Sequence, residues 1–214
     1  MNQCFIDDFD TVLNSSDSNS VIIKNCNFGE NGGPIFSQVL LIDGGSLVMD
    51  NNRITFNGTK FACDFSRLNS RIISSTIFSS QSNDGAIRNS MGSFIYLFMT
   101  KIASGNGIGD GLLCRNSQFE IESCNISNFF NGFSIDANSK GVISTLNGNN
   151  ITYGISLLGG SSFSNKGGNT ITGTTSELLL GSLGNTNWGL VNGGLGVDTN
   201  DYNTGTPQYV YISP

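Results

Sequence analysis

Histidine is absent from the 214 residues, so the side chains able to do chemistry are mainly carboxylates and five cysteines. That absence excludes Ser-His-Asp and Cys-His nucleophile systems together with every imidazole-ligated metal site. Two aspartates share a suggestive spacing: Asp84 precedes Gly85 and Asp110 precedes Gly111. If those glycines open equivalent strands of adjacent coils, the acids lie about one to two strand spacings apart, ~5 to 10 Å, the range in which paired carboxyl groups cleave a glycosidic bond. Aspartate before glycine is also ordinary turn chemistry, which accounts for both residues without catalysis. Glu120 and Glu122 share an outward face, with Tyr96 and Phe98 beside them one coil back, and read as a solvated edge. No CxxC pair marks structural zinc and no GxxxxGK[ST] run marks a phosphate loop. No metal and no cofactor is expected. The arginines and lysines do not gather beside an acidic cluster in the repeat register, as proton abstraction next to a uronate would require.

These residues sit on a repeat. Its signature reads Asn25-Cys26-Asn27-Phe28, Asn51-Asn52-Arg53-Ile54, Ser74-Ser75-Thr76-Ile77, Met99-Thr100-Lys101-Ile102, Ser123-Cys124-Asn125-Ile126, Gly148-Asn149-Asn150-Ile151 and Gly168-Asn169-Thr170-Ile171. The closing apolar residue advances by 26, 23, 25, 24, 25 and 20 positions, a period proper to a solenoid. The expectation is an all-β stack of about seven coils over 21–181, with Phe28, Ile54, Ile77, Ile102, Ile126, Ile151 and Ile171 in one inward column. A second signature follows about ten positions later in Gly85-Ala86-Ile87, Gly111-Leu112-Leu113, Gly132-Phe133-Ser134-Ile135 and Gly154-Ile155-Ser156-Leu157. Each coil therefore carries at least two strands, with glycine expected at corners that demand positive φ. Asn149 and Asn169 are expected to stack as a polar ladder on adjacent coils.

In 1–20 the spacing of Phe5, Phe9, Val12 and Leu13 predicts a helical cap over the open end of the stack. In 182–214 the register is lost, and the segment reads as an irregular C-terminal cap or an intersubunit strand, with Trp188 packing beneath it or making a contact. A net charge of −6 with ten basic residues leaves no stripe to follow a phosphate backbone, so nucleic acid is not an expected partner. The longest apolar run, 94–99, is far short of the ~20 residues that span a bilayer, and no membrane insertion is expected. That run must still show Phe94, Tyr96 and Phe98 on its outer face, a patch that a loop of the same chain, a neighbouring subunit or a ligand would cover. The acidic first residues do not read as a secretory signal. Cys26 and Cys124 occupy the same repeat position four coils apart, ~19 Å, beyond a disulfide. All five cysteines are expected as buried thiols in a reducing compartment.

The elements around Gly148 to Leu157, with Gly168 to Ile171, resemble the right-handed parallel β-helix superfamily of pectate lyases and phage tailspikes. The resemblance implies that fold and a choice of activities. The favoured expectation is a non-enzymatic viral or phage structural or attachment protein, a fibre, spike or capsid appendage. It would be made in a host cytoplasm and carried on a virion. It would assemble with its own copies, a trimer foremost, or with other virion proteins, with a glycan receptor as a further partner. The alternatives are a polysaccharide-degrading tailspike, a glycosidase or lyase, and a cell-surface adhesin outside the cell.

Overall fold

The structure, a computed structural model, describes residues 5–6, 11–16, 20–29, 38–79, 84–166, 169–180 and 202–204. It is an all-β parallel solenoid of about six turns with no helix among the described residues.

Each turn carries three short strands, and like strands stack in parallel into three sheets. An isoleucine sheet is built from Phe5–Ile6, Asn27–Phe28, Arg53–Phe56, Thr76–Ser79, Lys101–Ser104 and Asn125–Ser127. A charged sheet stacks Thr11–Ser16, the first halves of Gln38–Asp50 and Cys63–Ile73, then Gly85–Ser90, Asp110–Arg115 and Asn131–Asp136. An aromatic sheet stacks Ser20–Lys24, the second halves of those two long strands, Phe94–Phe98, Gln118–Glu122, Lys140–Ser144 and Ser162–Asn165. Strand alternation sends every second side chain inward. Thus Ile54, Ile77, Ile102, Ile72, Leu97 and Phe65 are fully buried, and with Phe119 and Phe133 they fill the space between the sheets.

The isoleucine column runs in register from Phe28 through Ile54, Ile77 and Ile102 to Ile126. There it departs from expectation, because Ile126 pairs with Gly148, not Ile151, and Gly148 pairs with Ile171. The strand Asn147–Leu157 shifts register between Gly148 and Tyr153. Ile151 remains buried, and its Cδ1 sits 3.3 Å from where a Cβ on Gly132 would be. The bulge lets Ile151 fill the volume that side-chain-free Gly148 leaves open.

The corner between the aromatic and isoleucine sheets follows one rule. A residue with positive φ, namely Asn25, Asn51, Ser74, Met99, Ser123 or Thr145, precedes a buried residue that turns inward. The inward side chains stack as Cys26, Asn52, Ser75, Thr100, Cys124, Leu146 and Asn169. Four of them donate to the carbonyl two residues back: Cys26 to Lys24, Ser75 to Ile73, Thr100 to Phe98 and Cys124 to Glu122. The column also satisfies backbone donors of neighbouring coils: Cys26 N–H donates to Asn52 Oδ1 at 2.9 Å and Leu146 N–H to Asn169 Oδ1 at 2.7 Å. A second corner, between the charged and aromatic sheets, uses serine. The N–H groups of Leu68, Ser117 and Ser139 donate to the hydroxyls of Ser93, Ser139 and Ser161 one coil on.

Two expectations about turn residues change. Asn149 and Asn169 do not form a ladder, since Asn149 lies beside Ser127 and Asn169 belongs to the buried corner column. The asparagine ladders are Asn51 Nδ2 to Asn25 Oδ1 at 2.8 Å, and Asn150 Nδ2 to Asn128 Oδ1. Gly111 and Gly132 are not there for positive φ, which only Gly85 of this series shows, at +140°. They are there because of close approach: a Cβ on Gly111 would overlap Ile126 Cδ1 and lie 2.6 Å from the Gly132 carbonyl oxygen.

The parts of 1–20 that are described, Phe5–Ile6 and Thr11–Ser16, are strands that continue the isoleucine and charged sheets. The remainder of the segment expected to be a helical cap lies outside the described residues. At the other end, Tyr202–Thr204 pairs with Leu178 to Leu180. The rest of 182–214, Trp188 included, lies outside the described residues.

Truncating Ile126 to Ala opens a cavity against Gly111 and is expected to lower stability by about 2 to 5 kcal/mol. Ser139→Ala strands the Ser117 N–H and is expected to cost about 1 to 3 kcal/mol. Denaturant titration of both variants checks the register, and an unchanged midpoint in either would contradict it.

Candidate functional site

The two aspartates come together at the third corner, where the isoleucine sheet hands over to the charged sheet. Asp110 N–H donates to the Asp84 carbonyl at 3.0 Å. Their strands are offset by one residue from the sequence expectation, because Asp110 pairs with Gly85 and Leu112 with Ile87. Asp110 Oδ1 accepts from Asn131 Nδ2 at 2.8 Å, and Asn131 Oδ1 accepts from Ser156 Oγ at 2.9 Å. Burial pushes the Asp110 carboxyl up to about 6; the Asn131 bond opposes that rise and the Asp84 charge adds to it. Asp84 itself is exposed. The pair has the unlike environments that separate an acid from a base.

The surroundings argue for structure. A cleft of about 280 Å³ at this corner is lined by Gln38, Lys60, Phe61, Asp64, Asp84 and Arg88, so Asp84 opens onto it and Asp110 does not. Asp64 is buried, accepts from Gln38 Nε2 at 3.2 Å and is held by two bonds from the Arg88 guanidinium. Arg88 also lies over the Phe61 ring, 5.6 Å from its centroid. Contrary to the expectation that no basic residue gathers with acids, Arg88 acts on Asp64 and feels the charge of Asp84. Its bond to Asp64 raises its pKa further, so it remains a cation and cannot abstract a proton. Among the described residues no group of three or more Cys, Asp or Glu could hold a metal ion.

Sequence reasoning missed that Arg67–Asp43, Arg88–Asp64 and Arg115–Asp136 are ion pairs between coils of the charged sheet. Arg67 and then Ser66 hold Asp43 down to about 2 through hydrogen bonds. The signal was opposite charges one repeat apart, 24, 24 and 21 positions, which cross-strand pairing makes neighbours. Beside these pairs runs a shallow trough of about 690 Å³ lined by half-buried Leu41 and Leu113 together with Arg88 and Arg115.

The 94–99 strand behaves as its alternation requires. Ile95 and Leu97 are fully buried, while Phe94, Tyr96 and Phe98 face outward and are half-buried. The Tyr96 and Phe98 rings are parallel within 6° with centroids 6.1 Å apart. Arg71 lies over Tyr96 at 5.3 Å from its centroid, and Tyr96 Oη donates to Glu122 Oε2 at 3.2 Å. Glu120 and Glu122 stand beside Tyr96 and Phe98 in register. At the following corner Met99, in the left-handed region, is 57% exposed.

Cys26, Cys63, Cys114 and Cys124 are free and buried. Burial raises the thiols of Cys63, Cys114 and Cys124, the last two to about 12 and about 11. Such thiols are neither nucleophiles nor ligands at neutral pH. Cys4 lies outside the described residues.

Comparison of the chain with family models, curated proteins and solved structures returns no match.

The folded Asp110 carboxyl titrates near 6, against 3.8 unfolded, so its protonated form is the one the fold favours. Its contribution is present below about pH 4 and lost as pH rises through 6, a loss on the order of 3 kcal/mol. Asp110→Asn is therefore expected to be more stable than the parent at pH 7.5 and to lose the pH dependence between 4 and 6. Equal stability of the two proteins at pH 7.5 would contradict the burial of that carboxyl. Alkylation of denatured, unreduced protein is expected to modify all five cysteines, read by mass; fewer would show a disulfide.

Proposed function

We infer that the chain is a non-enzymatic structural or attachment protein of a virus or phage, a β-helical fibre, spike or capsid appendage. It acts through its outer surface, and its partners are other copies of itself or other virion proteins. One observation supports this reading above the others: Phe94, Tyr96 and Phe98 stand outward on a flat sheet whose fold needs no apolar residue there. The carboxylates and arginines of the charged sheet, by contrast, are committed to one another.

A second reading, a glycan-cleaving tailspike, draws on the raised Asp110 carboxyl next to exposed Asp84. It would use Asp110 as proton donor and Asp84 as base or nucleophile. Against it stands the cleft that only Asp84 lines.

Two double variants separate the readings. Tyr96→Ser with Phe98→Ser is expected to abolish assembly or particle attachment while leaving the far-ultraviolet spectrum intact. Asp84→Asn with Asp110→Asn is expected to change neither. A capsule-depolymerising activity that disappears in the aspartate variant would establish the enzyme.

A further inference from the structure

On the aromatic sheet, Val48, Arg71, Tyr96, Glu120 and Val142 stack in one outward column on five successive coils. The order of types is apolar, cation, aromatic, anion, apolar. Read from either end these five rungs are the same with their charges exchanged, and Ile22 and Ser164 extend the column by one rung at each end. Arg71 touches the Tyr96 ring, and neither Arg71 nor Glu120 makes an ion pair among the described residues. Among the described residues the three arginine–aspartate pairs lie on the charged sheet, whereas this column holds one charge of each sign outside any ion pair.

Such a column complements itself under one symmetry. A two-fold axis lying in the interface along the strands turns a second copy over and reverses its solenoid axis. Tyr96 then faces Tyr96 of the other copy, Arg71 faces Glu120, Glu120 faces Arg71, and Val48 faces Val142. In the flanking columns Phe94 and Phe98 each meet their own counterparts, while Ile73 meets Glu122 and Asn69 meets Gln118. A two-fold axis along the solenoid instead opposes Arg71 to Arg71 and Glu120 to Glu120, which like-charge repulsion disfavours. Seven strands at ~4.8 Å and five residues at ~3.3 Å give a face of roughly 30 by 17 Å. Two such faces bury about 1,000 Å², the lower bound for a specific interface and one that dissociates on dilution.

We propose that the aromatic sheet is the interface of an antiparallel homodimer, with Arg71 and Glu120 of the two copies forming reciprocal ion pairs around a central Tyr96 contact. It rests on the reading that this face meets other copies, and it replaces the threefold order expected of a shaft with a two-fold one.

Sedimentation equilibrium of the full chain is expected to give a concentration-dependent mass approaching twice 22.7 kDa. Arg71→Glu alone and Glu120→Arg alone are each expected to weaken dimerisation at least tenfold, and an equimolar mixture of the two to restore it. Orientation is read by cross-linking under mild oxidation: Val48→Cys mixed with Val142→Cys is expected to give a disulfide-linked pair, and Val48→Cys alone none. A monomer at all concentrations overturns this inference and leaves the assembly reading only with other virion proteins as partners. A mass of three chains, self-linkage of Val48→Cys, or no rescue in the mixture overturns the antiparallel pairing while leaving assembly in place.

Discussion

A chain that stacks strands every ~4.8 Å must turn three corners per coil, and at each corner some backbone N–H groups leave the sheet ladders while still buried. Satisfying those donors governs this structure more than any hydrophobic contact. At one corner Asn52, Ser75 and Asn169 accept from such N–H groups, and at the next Ser93, Ser139 and Ser161 do, while Cys26, Thr100, Cys124 and Ser117 donate to the corner carbonyls. Each side chain must be small, inward-facing and able to accept or donate. That requirement explains a composition rich in serine and asparagine with only 12% charged residues. It also explains the cysteines: Cys26 and Cys124 are small donors to a carbonyl two residues back.

Among the described residues the third corner shows no such column, and the sequence between its strands varies in length. Asp84 and Asp110 stand at the end of those loops, where Gly85 and Gly111 let adjacent coils approach. Asp110 is bonded to Asn131 of the next coil much as Asp43 is bonded to Arg67 and Asp64 to Arg88. Polar side chains on this flank of the molecule therefore tie one coil to the next, and their charges are spent in doing so. What the flank leaves for a ligand is a shallow trough and a small cleft, without convergent reactive groups.

The period, the parallel stack and the inward isoleucines were legible because burial repeats with the coil. The third strand was hidden because the aromatic and isoleucine strands are nearly continuous in sequence, as in Gln118–Glu122 followed by Asn125–Ser127, with only a two-residue corner between. The column failed at Gly148 because a glycine rung carries no hydrophobic mark, and Ile151 three residues on repeats the motif while reaching the same core volume from a bulge. Positive φ at Met91 and Met99 had no signal either, since methionine is not a turn residue. The outward aromatic strand was legible from alternation, whereas the arginine above Tyr96 and the ion pairs required the register between coils.

Inward and corner positions are dictated by the fold, so their residue types say little about function. Outward positions are not: a sheet in this stack is complete with serine or threonine on its outer face, as Ser144 and Ser164 show at the far end of the aromatic sheet. An outward Tyr96, Phe98 or Ile22, the last 49% exposed, contributes little to the core and carries the cost of apolar surface in water. Arg71 and Glu120 are in the same position, since they stand on either side of the Tyr96 strand and are not tied to a neighbouring coil by an ion pair as Asp64 is by Arg88. Residues that the scaffold does not require, clustered on one flat face and ordered by charge about one aromatic row, are accounted for when that face is covered by another protein surface.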